Sequence, residues 1–511
     1  MPLRNWCITT CCIQIVSFVT FLGLWTNTGR QVLLVEDSNP TSPENVIIAP
    51  EINKLYRDNP APCTEVRTGN ENPLTDSCLP IKGIGTSCAA YFMGNKPVTP
   101  LISRKATGKC RLYNLVSNCS LLKLVHGYET FPVSQEEKAY PLAFAIKFHR
   151  LPEQAERLLR TIYRSHNVYC IYIDGKAPQL LMELMTSISK CLPNVHVVQN
   201  PINVVYASSS HMQTDFQCMK IVSKSNVKWK YYINLTGQEF PLKSNLEMVK
   251  ILQALNGAND IESYSLPVFL KWRYEKVHKV VANKLVDTSK KKEPFKYKMQ
   301  MSKGSAYGAF TREFVNFILS DDVVQDYISW LNDTYSPEEN IWATVNTLPW
   351  APGGYMSEVR HRYGTFLSRA IIWEGDRVKC SGKFVRGVCV FSRNDLPWLV
   401  GQRQLFANKF DEYQDKVVLD CLESLVRNKT YHPAVHLQDW YHYHNLPHSK
   451  FYAAISDMQK DPEFLSRQKT VWLENQRNQK NYTLFERNIQ NEAGLDMAGS
   501  SINVYQIYGK T

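Results

Sequence analysis

Two cations that could bind a negatively charged ligand lie in the stretch WEGDRVKCSGKFVRGVCVFSRNDLPWLVGQRQLFANKFD, residues 373–411. Arg386 lies inside a short loop between Cys380 and Cys389, and Lys409 follows about twenty positions later. A cross-linked loop can hold an arginine rigidly, and a lysine that folds back onto it would offer a diphosphate two fixed cations. A disulfide-stapled surface loop with solvated charges explains the same residues. The residues between the two cations predict a helix over Leu396 to Leu405.

A candidate general base lies in the sequence SPEE, residues 336–339. This pattern predicts the start of a helix that runs to about Leu348, with Ser336 as the N-cap, Pro337 at the first helical position and Glu339 completing a capping box. A carboxylate at a helix N-terminus tends to stay ionised, which a general base requires. Helix capping alone is also a sufficient explanation of the pattern.

The elements that must position these residues follow an α/β pattern. Strands are predicted at PLAFAIKF (141–148), VYCIYID (168–174), VHVV (195–198) and YYINL (231–235), and helices at Glu153–Tyr163, Pro178–Ser189 and Met212–Val222. Strands that alternate with helices of this length indicate a parallel sheet covered on both faces. Ligands bind such sheets at the carboxyl ends of the strands, which places His149, Asp174, Lys176 and Tyr206 near one rim. The chain has no Gly-x-Gly-x-x-Gly motif and no Walker loop.

The length of the chain limits the number of its domains, and its charge pattern limits the kinds of partner it can bind. The chain has 511 residues, of which 44% are hydrophobic, and this allows one large domain or two to three ordinary ones. The net charge is +12, but lysines and arginines are widely spread. The run Lys290-Lys291-Lys292, beside Glu293-Pro294, is typical of a solvated loop. Nucleic acid is therefore not an expected partner.

The N-terminal region predicts a membrane anchor. Residues 7–25, CITTCCIQIVSFVTFLGLW, carry no charge and nearly span a bilayer core. The expected organisation is a cytoplasmic tail (1–6), a signal anchor (7–25), a stem (26–62), a cysteine-rich wrapping (63–140), a catalytic domain (141–430) and a C-terminal extension of unassigned role (431–511). A cleaved signal peptide is the rival explanation. With almost the whole chain following the anchor, we expect a lumenal body.

Cysteines and sequons agree with a lumenal body. Eleven of the fourteen cysteines lie outside the anchor, which indicates disulfides with one cysteine left over that is free or links two copies of the chain. Sequons predict glycans at Asn118, Asn332, Asn428 and Asn481, whereas Asn234 follows an apolar run and is expected to be buried. Five histidines between His432 and His448 allow a zinc site, although an aromatic packing arm is the simpler explanation.

Together these residues resemble a known family. The motifs are PLAFAIKFHR, YCIYIDGKA, VVYAS, WKYYINLTGQEFPLK, KGSAYGAFTREFV, DTYSPEENIWAT, FVRGVCVF and DLPWL…LFANKFD, between about Cys119 and Leu425. The chain resembles the core-2/I-branching β1,6-N-acetylglucosaminyltransferases, glycosyltransferase family 14, which are type II proteins of animal Golgi membranes. The resemblance implies a GT-A-like Rossmann-type domain and an inverting, metal-independent transfer from a UDP-sugar to a hydroxyl of an O-glycan, with no cofactor.

The resemblance also assigns roles to individual residues. The general base falls on Glu339, the diphosphate partners on Arg386 and Lys409, and an acceptor-binding acid on Glu262. The UDP-sugar cleft falls on Lys147, Phe148, His149, Asp174, Gly175, Lys176 and Tyr206. The disulfides implied are Cys63–Cys421, Cys119–Cys191, Cys170–Cys218 and Cys380–Cys389, and Cys78, Cys88 and Cys110 remain.

The chain departs from the family at several points. Lys147 stands where the family has a small apolar residue. Ahead of Glu374 the residues are Ala370, Ile371, Ile372 and Trp373, where branching enzymes present several aromatic residues to the acceptor sugar. The basic acceptor segment after Pro267 is shorter and leaves Lys271 and Arg273 as candidates. Thr236 replaces a free cysteine of the family. The body has no Asp-x-Asp metal motif, and Glu374-Gly375-Asp376 matches a family element that is not a metal site.

The resulting expectation is a transferase that uses UDP-N-acetylglucosamine, or as second choice UDP-glucose, and acts on a mucin-type O-glycan core of a glycoprotein. A peptide O-xylosyltransferase-like enzyme and a non-catalytic Golgi glycan-binding protein on the same fold are the alternatives. A donor screen distinguishes the three.

Overall fold

The computed structural model describes residues 84–97, 111–355 and 366–477. The predicted tail, anchor and stem, and Cys63, Cys78, Cys110 and Asn481, lie outside these ranges. Among the described residues, no helix is both long enough and apolar enough to cross a membrane.

The described chain alternates between helices and strands in the order that the sequence predicts. The strands are β1 (Leu142–Phe148), β2 (Val168–Ile173), β3 (Val195–Val197), β4 (Tyr231–Thr236), β5 (Glu239–Pro241), β6 (Asp260–Ile261), β7 (Tyr264–Ser265), β8 (Lys276–Val281), β9 (Lys284–Lys291), β10 (Ser302–Lys303), β11 (Gly308–Thr311), β12 (Arg369–Ala370), β13 (Lys383–Val385), β14 (Val388–Val390) and β15 (Phe406–Asn408). The helices are α1 (Ile84–Phe92), α2 (Leu112–Leu115), α3 (Cys119–His126), α4 (Gln135–Ala139), α5 (Pro152–Ile162), α6 (Gln179–Cys191), α7 (Ser210–Ser223), α8 (Asn245–Ala254), α9 (Trp272–Glu275), α10 (Arg312–Ser320), α11 (Asp322–Leu331), α12 (Ile341–Val345), α13 (Leu396–Val400), α14 (Lys416–Tyr431), α15 (Trp440–His444), α16 (Pro447–Gln459) and α17 (Pro462–Arg477). Short 3₁₀ turns occur at Val268–Leu270, Pro337–Glu339 and Arg393–Asp395.

A six-stranded sheet in the order β3-β2-β1-β4-β11-β6 forms the centre of the fold. The four strands predicted from the sequence pair in parallel, and β11 is antiparallel to both β4 and β6. The predicted α/β class with a parallel sheet is therefore confirmed, with an antiparallel addition at one side. Because β1 lies between β2 and β4, the carboxyl ends of all three strands meet at one rim.

Apolar residues cover both faces of this sheet. On one face Leu158 and Leu159 of α5 pack with Phe144 and Ile146 of β1. On the other face α7 packs through residues such as Phe216. The strands read as nearly continuous apolar runs because both of their faces are buried, as expected for parallel strands. Asn234 of β4 is fully buried, as predicted, and its side-chain amide donates to the Ala306 carbonyl over 2.9 Å.

Four disulfides are present in the described ranges. Cys119–Cys191, Cys170–Cys218 and Cys380–Cys389 are three of the bridges that the resemblance implied. The predicted Cys63–Cys421 bridge is wrong, because Cys421 pairs with Cys88 instead. Helix α1 packs against α14, which brings the two Cα atoms to 5.3 Å, within the distance that a disulfide requires.

Two predicted helices differ from the structure. Ser336 lies in the left-handed region, with φ of 47°, and its side chain makes no capping hydrogen bond. Pro337–Glu339 therefore forms a 3₁₀ turn without a capping box, and the helix that follows, α12, ends at Val345 rather than near Leu348. The helix predicted over Leu396 to Leu405 is α13 alone, which ends before Gly401.

The predicted glycosylation sites differ in exposure. Asn118 and Asn332 are exposed. Asn428 is only 4% exposed within α14, which contradicts the prediction of a glycan there, because a bulky glycan has no space at a buried helical position.

The described part of the C-terminal extension, up to residue 477, forms three helices that pack onto the body. In α17 Trp472 is buried, with ring centroids 5.1 Å from Trp350 and 5.3 Å from Tyr297. In α15 the rings of Trp440 and His444 are in contact. Within residues 84–97, 111–355 and 366–477, no three or more His, Cys, Asp or Glu side chains gather as metal ligands would.

Candidate active site

A tight hairpin presents Arg386. Strands β13 and β14 are joined by Arg386 and Gly387 alone, with φ angles of 54° and 72°. Such two-residue turns need positive φ at both positions, which glycine adopts freely. The Cys380–Cys389 bridge ties this hairpin at its base. The sequence prediction of a rigidly held arginine therefore has a structural basis.

Lys409 lies against the same hairpin. It directly follows β15, and its ammonium donates to the Val385 carbonyl over 2.7 Å. Burial lowers the pKa of Lys409, and the neighbouring cations Arg386 and Arg150 lower it further. The chain thus brings the two predicted diphosphate partners together, with Arg150 as a third cation that sequence reasoning missed.

The carboxyl ends of β1 and β2 form the adjoining wall. The Asp174 carboxylate accepts from the backbone N–H of Lys176 over 2.9 Å and of Val204 over 3.3 Å. The Lys176 ammonium donates to the Val204 carbonyl. Gly175 packs so closely on residues 201–203 that any side chain there would clash. Phe148 is buried and precedes His149 at the end of β1.

Tyr206 connects this wall to the hairpin. Its side chain is 61% exposed, and the Arg386 guanidinium lies 4.9 Å from its ring centroid. A guanidinium at this distance from an aromatic face is attracted to it, so Tyr206 orients Arg386. The exposed tyrosine ring can contact a ligand such as a nucleotide.

Two histidines line the floor in their neutral form. Burial lowers the pKa of His149, and Arg150 lowers it further against the opposing effect of Asp174. Burial also lowers the pKa of His211, to about 4, and Lys147 acts in the same direction. His211, which the sequence did not single out, thus belongs to this polar floor. The site keeps its positive charge on the arginine and lysine side chains and not on imidazole.

Lys147 has a specific partner. It lies at the end of β1, and its ammonium contacts the Asp215 carboxylate of α7 over 2.6 Å. Asp215 is 1% exposed, so Lys147 offsets a carboxylate that would otherwise be buried alone. A lysine at position 147 therefore requires an acidic residue on α7. This ion pair explains how the fold accommodates Lys147 where the family has a small apolar residue.

Glu339 occupies the opposite side of the site. Its Oε2 accepts from the Arg273 guanidinium over 2.7 Å, and the Lys303 ammonium lies 3.3 Å from the same oxygen. Its backbone carbonyl accepts from the Gly304 N–H over 2.8 Å. A methyl group at Gly304 would lie 1.9 Å from the Glu262 carbonyl oxygen, so only glycine allows this close approach. Glu339 is thus fixed by side-chain and backbone contacts.

Two further carboxyl groups, those of Glu262 and Glu338, lie near Glu339. Burial raises the pKa of Glu262, Lys303 opposes that rise, and Glu339 adds to it. Burial raises the pKa of Glu338 to about 8, and the neighbouring Glu339 adds to this rise while Lys147 opposes it. Glu338 Oε2 is shielded from solvent and accepts no hydrogen bond from the described residues. Glu338 is therefore neutral below about pH 8.

Aromatic residues link the two sides. The Tyr335 ring packs against Trp272, with centroids 5.0 Å apart, and the Arg273 guanidinium lies 5.3 Å from the Tyr335 centroid. Burial raises the pKa of Tyr335, and the neighbouring Tyr206 raises it further. Arg386, Tyr206, Tyr335, Arg273 and Glu339 thus form one continuous series of contacts across the site.

The other sequence candidates lie around this core. Lys271 is exposed beside α9, whereas Arg273 reaches Glu339. Of the residues before Glu374, Ala370 and Ile372 are buried and Trp373 is 47% exposed. In the acidic turn, Asp376 accepts from the Trp373 N–H over 2.8 Å, and Glu374 donates its N–H to the Gly387 carbonyl. The Glu374 backbone thus supports the Arg386 hairpin, whereas Asp376 closes the acidic turn itself.

The residues that sequence reasoning missed, Lys303, His211, Arg150 and Glu338, share one property. Each either contacts site residues that are distant from it in the sequence or directly neighbours a residue that the sequence had already indicated. Lys303, in KGSAYGAF, had the only direct signal, because it precedes a glycine that the close approach to the Glu262 carbonyl requires.

The arrangement has clear chemical capacities. One side presents fixed cations over an exposed tyrosine, which suits a nucleoside diphosphate. The other side presents a positioned carboxylate, which suits proton removal from a hydroxyl. The two functions are held on different elements of one rim.

Comparison with known proteins identifies relatives over the same region. Residues 142–400 match the family model described as Core-2/I-Branching enzyme. The chain is similar to the human "Beta-1,3-galactosyl-O-glycosyl-glycoprotein beta-1,6-N-acetylglucosaminyltransferase 3", with 37% identity over 327 residues, covering 62% of this chain and 75% of the relative. The enzyme of Bos taurus with the same name is 37% identical over 327 residues, covering 62% of this chain and 74% of the relative.

A viral protein gives the same result. The "Beta-1,3-galactosyl-O-glycosyl-glycoprotein beta-1,6-N-acetylglucosaminyltransferase" of Bovine herpesvirus 4 is 38% identical over 327 residues, covering 62% of this chain and 74% of the relative. The matched region contains the sheet, Glu339 and the Arg386 hairpin. The chain therefore belongs to the Core-2/I-branching enzyme family.

Proposed function

We propose that this protein transfers N-acetylglucosamine from UDP-N-acetylglucosamine, in β1,6 linkage, to a mucin-type O-glycan core such as galactosyl-N-acetylgalactosamine on a glycoprotein. The names of the relatives describe this activity and this kind of acceptor. The observation that carries the proposal is Glu339, a carboxylate fixed by Arg273 and Lys303 and connected through Tyr335 and Tyr206 to Arg386.

The proposed reaction is a single inverting displacement on a GT-A-like, Rossmann-type domain. Glu339 accepts the proton of the acceptor hydroxyl while that oxygen attacks the anomeric carbon. The bond from the anomeric carbon to the UDP oxygen breaks, and its electron pair stays on the diphosphate. Arg386 and Lys409 stabilise that charge. Asp174 to Lys176, His149 and Tyr206 bind the uridine side of the donor, and Glu262 binds the acceptor sugar.

The proposal includes metal independence and no cofactor. Arg386 and Lys409 supply fixed positive charge where the diphosphate leaves, a role that a divalent cation fills in other transferases. The sequence contains no Asp-x-Asp motif, and the Asp376 carboxylate accepts from the Trp373 N–H within its own turn.

A donor screen with the purified full-length protein tests the function. UDP-N-acetylglucosamine should be consumed with a galactosyl-N-acetylgalactosamine acceptor, and the product should carry a β1,6 linkage. UDP-glucose is the second candidate donor, because Lys147 stands in the proposed donor cleft where the family has a small apolar residue. Transfer of xylose to an unglycosylated peptide would instead indicate a peptide O-xylosyltransferase, and glycan binding without turnover would indicate a binding protein.

We also propose a single-pass type II protein of the Golgi membrane with a lumenal body. The support is the uncharged stretch 7–25 together with the disulfides of the body. A disulfide-linked homodimer through one of the cysteines outside the described residues stays a prediction.

Glycosylation tests this topology. The protein expressed in secretory cells should lose apparent mass on endoglycosidase treatment, and Asn118→Gln and Asn332→Gln should each remove one step of the shift. Asn428→Gln is the matched control and should leave the shift unchanged, because Asn428 is buried. A band that does not shift would contradict a lumenal body.

A further inference from the structure

The hairpin of β8 and β9 projects from the body with most of its side chains in solvent. Apart from His278, every residue of the two strands is exposed or only partly buried. A two-stranded hairpin of this kind gains little stability by itself. It is attached at one end, where the His278 N–H donates to the Asp333 carbonyl over 2.8 Å and the His278 ring packs against Tyr335. The rest of the hairpin is therefore free to contact another molecule.

This hairpin is strongly basic. Two of its positive charges are neutralised nearby, since Lys276 pairs with Asp287 over 2.7 Å and Lys292, just after β9, pairs with Asp333. Four exposed lysines have no ion-pair partner in the part of the chain that the structure describes, and we call them the hairpin lysines: Lys279, Lys284, Lys290 and Lys291.

Exposed apolar side chains lie among these charges. Val281 at the tip of β8 is 58% exposed, and Val286 of β9 is 43% exposed. Val268 and Phe269, in the turn before α9, are 78% and 75% exposed. A surface with both unpaired lysines and exposed apolar groups fits an extended polypeptide with acidic side chains better than it fits a sugar alone.

The hairpin starts beside the acceptor side of the site. Strand β8 begins three residues after Arg273, whose guanidinium contacts Glu339 over 2.7 Å. A strand rises about 3.3 Å per residue, so β8 reaches roughly 20 Å from this point. An acceptor glycan bound at Glu339 would bring the polypeptide that carries it within reach of the hairpin lysines.

We propose that the hairpin lysines form a docking surface for acidic side chains of the glycoprotein polypeptide that carries the acceptor glycan. This inference rests on the proposed function. Fixed cations beside the site raise the rate of encounter and lower the acceptor KM without contacting the reacting sugar. Because the lysines are exposed, salt should weaken the effect.

The test compares two full-length variants. The hairpin variant carries Lys279→Gln, Lys284→Gln, Lys290→Gln and Lys291→Gln. The control variant carries Lys190→Gln, Lys220→Gln, Lys224→Gln and Lys228→Gln, which remove the same charge from exposed positions at the end of α6, at the end of α7 and just after α7. Each is assayed on the free disaccharide core, on the core in a peptide rich in Asp and Glu, and on the core in a matched Asn and Gln peptide.

We expect the hairpin variant to raise the KM for the acidic glycopeptide about tenfold at low salt, with kcat unchanged. The free core and the neutral glycopeptide should react as with the wild type, and the control variant should behave as the wild type throughout. High salt should remove the wild-type preference for the acidic peptide.

The proposal would be overturned by equal KM values of the wild type for acidic and neutral glycopeptides, by an equal loss in the control variant, or by an equal loss on the free core. A preference that appears only for neutral peptides with neighbouring acidic sugars would assign the surface to glycan carboxylates and also overturn it. If the wild type turns over no acceptor, the proposed function fails. Equilibrium binding of the acidic and neutral peptides to the two variants then still decides the docking surface.

Discussion

Arg273 and Lys303 both contact the same carboxylate oxygen of Glu339, Oε2. Glu339→Gln keeps the shape of the side chain and one carbonyl oxygen but loses the basic carboxylate. We expect turnover to fall by roughly 10²–10⁴-fold, the usual effect of losing a positioned base, while UDP binding is retained. Steady-state assays with calorimetric titration of UDP check both parts. Activity within a few-fold of the wild type would assign Glu339 a structural role.

The neighbouring Glu338 predicts a pH effect on stability. Its pKa is raised from the ordinary value of 4.5 to about 8 by burial, with Glu339 adding to the rise and Lys147 and Arg273 opposing it. The folded protein therefore favours the protonated form of Glu338. The contribution of this preference to the free energy of unfolding is complete below pH 4.5 and is lost as the pH rises toward 8. In Glu338→Gln the side chain stays neutral. The variant should match the wild-type Tm at pH 4.5 and exceed it by several degrees at pH 8. A Tm difference that is constant across this range would contradict the assignment.

At the scale of elements, the β13–β14 hairpin carries Arg386 at its turn and accepts a hydrogen bond from Lys409 through the Val385 carbonyl. Losing a charge-assisted contact to a leaving diphosphate costs on the order of 2–4 kcal/mol in the transition state. We expect kcat/KM to fall by roughly 30- to 1000-fold in Arg386→Ala and in Lys409→Ala, and Arg386→Lys to recover only part of the loss because the guanidinium fork is absent. Arg377→Ala, an exposed arginine on the same stretch, is the matched control.

The same hairpin predicts full activity in excess EDTA, since side-chain cations remain in place when metals are removed. Activity that EDTA abolishes and Mn²⁺ restores would contradict the metal-independent reaction. Glu374 and Asp376 would then be the first candidates for ligands.

The elements also show which parts of the structure could be predicted from the sequence. The four parallel strands could be predicted because buried strands leave uninterrupted apolar runs such as LAFAI and VYCIYI. The SPEE turn could not be predicted, because its residues suit a capped helix. Its 3₁₀ conformation depends on backbone hydrogen bonds with Ala207 and Gly304, which are distant in the sequence. Arg273 and Lys303 converge on Glu339 from elements that lie 66 and 36 positions away in the chain, and no local pattern records that. The Cys421 partner was missed for the same reason.

At the scale of the whole molecule, the described part of the C-terminal extension packs onto the body through a buried tryptophan. Trp472 of α17 is 1% exposed and packs against Trp350 and Tyr297. Trp472→Ala should lower the free energy of unfolding by about 3 kcal/mol, as expected for a buried aromatic, and kcat should be unchanged below the new Tm. Val471→Ala, at an exposed position of the same helix, is the control and should change the Tm little. An equal effect of both variants in denaturant unfolding would contradict a packing role for Trp472.

The Cys88–Cys421 bridge has a consequence for how the protein is made. Its cysteines are 333 residues apart, whereas those of Cys119–Cys191 are 72 apart and lie within the interval that it encloses. A ribosome adds about 5–20 residues per second, so Cys88 emerges tens of seconds before its partner exists. During that time it is an unpaired thiol beside other new cysteines. Correct pairing therefore requires that Cys88 stay unpaired, or be released from a wrong partner, until Cys421 exists. The yield of folded protein should depend more on disulfide isomerisation than that of a protein with local bridges alone.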